Sequence, residues 1–148
     1  MSSDVEALYQ RIILDHNRNP RNFRAVAGGR SAEGHNPLCG DQLTVHVCVE
    51  GSVVTDAGFL GSGCAIATAS ASLMTESVKG LEIGAFHALA ERFERLVAGP
   101  AGSPAEDLGA LTAFAGVRRF PLRAKCALLA WRTLAAAIDA SGGNVSTE

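Results

Sequence analysis

The sequence predicts an α+β fold, a small antiparallel sheet with several helices laid over one face. Two observations near the N-terminal third predict the sheet. "QLTVHVCVEG" alternates, with Leu43, Val45, Val47 and Val49 pointing one way and Thr44, His46, Cys48 and Glu50 the other, the period-2 signature of a half-buried strand. "SVVTDAGFLGSG" reads as a second strand, joined to the first by a tight turn around Gly51 in the manner of an antiparallel hairpin. The third observation is that helical patterns dominate from Cys64 onward, and strands grouped early with helices grouped late mark an α+β sandwich.

In chain order, "SDVEALYQRIILDHNRNP" opens with Ser3 and has Glu6 three positions on, a capping-box spacing, with Val5, Leu8 and Ile12 as its apolar stripe. Asn19-Pro20 should end that helix. "AVAGGRSAEGHNPLCGD" is mostly turn chemistry, with one short strand near Ser31 to Glu33. The two strands of the hairpin follow. "CAIATASASLMTESVKG" then predicts a closely packing helix with Gly80 at its C-terminal end, and "EIGAFHALAERFERLVAG" a second, amphipathic one in which "AERFERL" supplies a solvated face. "PAGSPAEDLG" is a loop and "DLGALTAFAGV" a short helical piece. "FPLRAKCALLAWRTLAAAIDASGG" closes the fold as a helix with Pro121 near its start and Trp131 in its core face. Residues 1–141 make one domain, and 142–148 form a tail outside the ordered fold.

The 148 residues and 47% apolar content suffice for a hydrophobic core. Thirteen basic against fifteen acidic residues give a net charge of −2, so there is no cationic field to gather nucleic acid or an anionic membrane surface. No apolar run approaches the twenty or so residues of a membrane span, and "MSSDVEALYQ" is acidic where a signal peptide is basic. The reading is of a cytoplasmic protein.

Cysteines lie at 39, 48, 64 and 126 without CxxC pairs, and reduced thiols are the default in a cytosol. Spacing alone makes them small buried hydrophobes. Three of the four have chemical neighbours. Cys64 follows "GSG" and opens a helix, where unpaired N–H groups favour a thiolate. Cys126 shares a helical face with Leu129, Ala130 and Thr133, one turn after the cation Arg123; it is either core or a partner of Cys64. Cys39 sits in a glycine-containing turn two residues before Asp41, on the loop entering the hairpin whose far end delivers Cys64. Thiolates packed together repel, so a cation is the expected means of holding them deprotonated. Zinc with three sulfurs and one oxygen or nitrogen makes a tetrahedral site. Asp41 is the expected fourth ligand and His35, in the same loop, competes with it. The same thiolate-rich cage accepts iron or Cu(I). Cys48 is expected to be an incidental surface thiol, His16 a favourable charge at a helix C-terminus, and His46 and His87 exposed or amphipathic positions and not ligands.

The chain resembles the U-type iron–sulfur assembly proteins, which are IscU-like or NifU N-terminal-like, and among them the SufU branch of zinc-dependent sulfurtransferases. The likeness runs from "LYQRIILDHNRNPRNF" through "NPLCGD" and "GFLGSGCAIATASASLMTESVKG" to "GVRRFPLRAKCALLAWRTL". It implies a three-stranded antiparallel sheet in a SufE/NifU-like α+β fold and a site built from Cys39, Asp41, Cys64 and Cys126. In the scaffold branch, typified by IscU, a histidine directly precedes the last cysteine; here that position is Lys125. The stretch "VAGPAGSPAEDLGALTAFAGV" and Arg123 likewise resemble the SufU pattern.

The resemblance implies a function in iron–sulfur cluster biogenesis. Zinc-bound Cys39 would accept persulfide sulfur from a SufS-type pyridoxal-phosphate cysteine desulfurase, once a partner ligand displaces Cys39 from the metal, and pass it to a downstream iron–sulfur scaffold. Arg123 would support the thiolates or the approaching persulfide. The alternative is a U-type scaffold that assembles a [2Fe–2S] cluster on the same thiols, with iron in place of zinc.

Overall fold

The computed structural model describes residues 3–99, 107–139 and 144–146, with side chains described from Glu6 onward and not for 144–146. The Ser3 cap, Val5 and most of the "PAGSPAEDLG" loop therefore lie outside the described side chains. Helix α1 spans Ser3–Arg18, followed by β1 Arg30–Asn36, β2 Asp41–Glu50 and β3 Val53–Ser62. Helices α2 Ala65–Val78 and α3 Ile83–Ala98 come next, then a 3-10 segment Gly109–Arg119, α4 Pro121–Ile138 and a short strand β4 Asn144–Ser146. The sheet order is β3-β2-β1-β4. Three strands are antiparallel neighbours, as the sequence predicts.

The alternation in β2 is realised. Leu43, Val45 and Val47 are fully buried beneath the helices, while Thr44, His46 and Cys48 on the other face are only partly covered. Helix α4 crosses β1 and β2, and α2 packs against both β3 and α4. Gly34 allows the approach of α4: a Cβ there would collide with Thr133 Oγ1 and lie 3.1 Å from Leu129 Cδ1. The buried face of α2 is small, with Ala67, Ala69, Ser70, Ala71 and Ser72 all covered, and Ser70 donates its hydroxyl to Ala127 O of α4 at 2.6 Å. Trp131 occupies the core as expected. Its ring stacks on Phe93 at 4.7 Å between centroids and its Nε1–H donates to Ser70 Oγ at 3.1 Å, so the polar end of the indole is satisfied in the interior.

Two expectations are revised. The packed stripe of α1 runs through Ile12, Ile13 and His16, and Leu8 is 47% exposed. His16 is buried at a helix–helix contact and does not serve as an end charge: its Nδ1 is 2.7 Å from Ser72 Oγ, which also accepts the Arg21 backbone N–H at 2.8 Å. Burial, reinforced by Arg21 and opposed by Glu76 and Asp15, lowers its pKa. Residues 144–146 pair in parallel with Glu33–His35. The outer edge of β1 offers open N–H and C=O groups, and Arg30 donates to Ile138 O at 2.6 Å, which holds the end of α4 at the start of that strand.

Two outcomes test this packing. Gly34→Ala should destabilise the fold by about 1–3 kcal/mol through overpacking against α4, read as a lower urea midpoint. For His16 the folded state binds fewer protons than the unfolded chain, because its pKa lies below the usual 6.5. Stability is therefore full above pH 6.5 and falls as acid is added below it. The urea midpoint of the parent should decline over that range more steeply than that of His16→Gln, and parallel profiles would remove His16 as the cause.

Candidate metal centre

The site forms at the end of the sheet where β1 turns into β2. Asn36 pairs with Asp41, leaving Pro37, Leu38, Cys39 and Gly40 as the connecting turn. Cys39 N–H donates to Asn36 O at 3.2 Å, and Gly40 takes a φ of +73° that an L side chain disfavours. Because β2 and β3 are antiparallel, Gln42 at the start of β2 faces Ser62 at the end of β3. Cys64, two residues later, therefore arrives beside Asp41. Asp41 has the parity of Leu43 and Val45, so its carboxylate lies on the helix-covered face and is 1% exposed. Cys126, in the second turn of α4, comes down on the same spot and is fully buried.

The donor atoms of Cys39, Asp41 and Cys126 all lie within 4.8 Å of one another. Cys126 Sγ is 2.9 Å from Cys39 Sγ and 3.5 Å from Leu122 O. Cys64 borders this trio through Asp41. Its Sγ is 3.9 Å from Asp41 Oδ2, and its backbone N–H donates to Asp41 Oδ1 at 2.8 Å. As the N-cap of α2, Cys64 also accepts the Ala67 N–H at 3.5 Å. Burial first, and then the neighbouring Cys39, Asp41 and Cys64, push the Cys126 thiol well above the ordinary thiol range. Two soft sulfurs and a buried carboxylate oxygen within 4.8 Å of one another are donors that suit a divalent cation, so the donor set fits a metal ion.

His35 is one residue from Asn36 and so on the opposite face of β1. Asn36 is buried towards α4, whereas His35 pairs with Gln42 on the partly covered face. It stands outside the group of donors that lie together among the described residues. Arg123 is exposed, with its guanidinium 5.1 Å from the Phe120 ring centroid, and among the described residues it makes no hydrogen bond to the thiols. Cys48 sits on the far face of β2, directed at Ala27 O at 3.7 Å. His46 shares that face, and His87 lies on α3, 3.7 Å from Asp139.

Sequence reasoning missed Asn36. Its side chain is fully buried, donating from Nδ2 to Cys126 Sγ at 3.6 Å and accepting the Leu38 N–H on Oδ1 at 3.2 Å. The signal was the Asn-Pro step, since an asparagine side chain that receives the N–H two residues on is a recurrent turn device.

The model of the NifU-like N terminal domain matches residues 8–127 of this chain. The chain belongs to the NifU-like N-terminal domain family. Over 144 residues it is 36% identical to the zinc-dependent sulfurtransferase SufU of Bacillus subtilis (strain 168), covering 97% of this chain and 98% of that one. It is also 36% identical over 139 residues to the iron–sulfur cluster assembly scaffold protein IscU of Streptococcus pyogenes serotype M1, covering 94% and 87%. Among solved structures, an iron–sulfur cluster assembly scaffold protein for the SUF system from Fervidobacterium islandicum AW-1 superposes with a TM-score of 0.78 at 29% identity, covering 86% of this chain and 93% of that one. The NifU-like domain here places Lys125, and no histidine, directly before Cys126. Among the described residues no helix is long and apolar enough to cross a membrane.

Metal retention separates the two oxygen and nitrogen candidates. Asp41→Ala should weaken zinc retention against a chelator by at least the 10–100-fold that supporting residues typically command, and His35→Ala should leave it unchanged. The reverse order would exchange their roles.

Proposed function

We propose that this protein works in iron–sulfur cluster biogenesis as a zinc-bound sulfur acceptor. It takes persulfide sulfur from a SufS-type pyridoxal-phosphate cysteine desulfurase, activates that enzyme, and delivers sulfur to a downstream iron–sulfur scaffold. The observation that carries the reading is the unequal setting of two adjoining thiols. Cys39 is half-buried on a glycine-containing turn, whereas Cys126, 2.9 Å away, is fully buried in α4. A partner's persulfide can meet the first and not the second. The likeness to the zinc-dependent sulfurtransferase over nearly the whole of both chains supports the same reading.

Cys39, Asp41, Cys64 and Cys126 are the residues that would hold zinc. When bound, zinc lets the thiols stay deprotonated at neutral pH while damping their reactivity. In the transfer, Cys39 Sγ attacks the outer sulfur of the desulfurase persulfide. A new S–S bond forms on Cys39, the old one breaks, and its electron pair leaves with the desulfurase cysteine as a thiolate. Asp41 holds the Cys64 amide throughout, and Arg123 at the rim offers a positive charge to the incoming anionic sulfur.

A second reading, a scaffold that assembles a [2Fe–2S] cluster, is favoured by the likeness to IscU of Streptococcus pyogenes. Lys125 in place of an imidazole weighs against it, since the donor set then rests on three thiols and one carboxylate. Zinc near one equivalent, without cluster absorption, in protein purified without added metal supports transfer.

After mixing with desulfurase and cysteine, mass spectrometry should find one added sulfur on the peptide carrying Cys39. Cys39→Ala should abolish both that adduct and the stimulation of the desulfurase. A fully stimulated rate in the variant would overturn the assignment.

A further inference from the structure

We infer that Asn36 is a positioning residue of the metal centre, one that fixes Cys126 as a permanent ligand while setting the turn from which Cys39 works. The inference rests on the proposed zinc site and not on sulfur transfer.

Asn36 is the last residue of β1, and its polar side chain is fully buried. Its amide bridges two separate parts of the site. Oδ1 accepts the Leu38 N–H at 3.2 Å and Nδ2–H donates to Cys126 Sγ at 3.6 Å. The orientation is dictated by chemistry, because a backbone N–H requires the oxygen and so leaves the NH2 group for sulfur. The backbone adds a third tie, with Cys39 N–H donating to Asn36 O at 3.2 Å. One residue thus grips two consecutive backbone amides leading into Cys39 and the sulfur of α4.

An N–H donor to a thiolate stabilises its negative charge, and a buried one does so without competition from water. Aspartate is nearly isosteric but would place a further carboxylate beside Cys39, Asp41 and Cys126, with no proton to offer the sulfur. Alanine would leave the Leu38 amide and Cys126 without this partner. The consequence is a division of labour between adjoining thiols. Cys126 is held by its helix and by an amide donor, whereas Cys39 is carried on a turn with no side-chain amide among the described contacts of its sulfur, which makes Cys39 the ligand free to change partners.

The test is read on metal alone, without desulfurase. Asn36→Asp, Asn36→Ala and the parent are loaded with Co2+ and with Zn2+. With fold confirmed by circular dichroism, Asn36→Asp and Asn36→Ala should lose zinc to a chelator about 10–100-fold more readily than the parent. Their sulfur-to-cobalt charge-transfer bands should move to lower energy, a change that a merely structural role would not produce. Asn36→Gln, which keeps both amide functions on a longer arm, should recover part of each loss. Retention and spectra like the parent's in Asn36→Asp would overturn the inference. Should the variants fail to fold, the parent decides: the Asn36 side-chain amide resonances must shift on zinc removal and show coupling to bound 113Cd, and their indifference to the metal would be equally fatal. Failure of the Cys39 persulfide assay with this result intact would remove sulfur transfer and leave the role of Asn36 standing.

Discussion

The pairing of Asn36 with Asp41 across the β1–β2 turn is the constraint on which the rest of the site depends. It puts two polar side chains on the helix-facing side of the sheet at its last rung, where they are almost completely withdrawn from water. It also leaves four residues to make the connection, so Cys39 is carried on a turn and not on a strand. A shift of one residue in register would send both side chains to the other face and bring His35 and Gln42 under α4. Every donor in the cluster is placed relative to that rung.

Packing above the sheet completes the arrangement. Gly34, two residues before Asn36, lets α4 lie close on β1, and the same parity that buries Gly34 buries Asn36. The contact lowers Cys126 onto the turn. From the other side, the antiparallel β2–β3 pair returns the chain to Asp41, whose carboxylate accepts the Cys64 N–H at the entrance to α2. Asp41 therefore has two tasks. It supplies an oxygen to the cluster and it fixes the start of a helix whose N-cap is itself a thiol.

The result is a concentration of acidic and thiol groups in a place with little water, a combination that raises the pKa of Cys126. A divalent cation bound there would offset that burial. The relatives include a zinc-dependent sulfurtransferase and an iron–sulfur cluster assembly scaffold protein. In this chain Lys125 directly precedes Cys126.

The strands of the hairpin, the helices that follow and Trp131 in the core were legible because periodicity reports which side of an element is buried. The "NPLCGD" turn and the "GSGC" helix entrance marked Cys39, Asp41 and Cys64 because local backbone chemistry is written in local residues. Other features depended on contacts between distant segments. His16 fits a charged helix end until α2 brings Ser72 against it, 56 positions away. Arg123 is one turn from Cys126 in sequence, yet its side chain goes to Phe120 and solvent. The return of 144–146 along β1 needs an open strand edge that no pattern in the tail announces. The sequence by itself determined the donor types and the turns that carry them. Only the tertiary structure decided that Asn36 and not His35 faces Cys126, because the choice between adjacent residues on a strand is made by which face a helix from the other end of the chain covers.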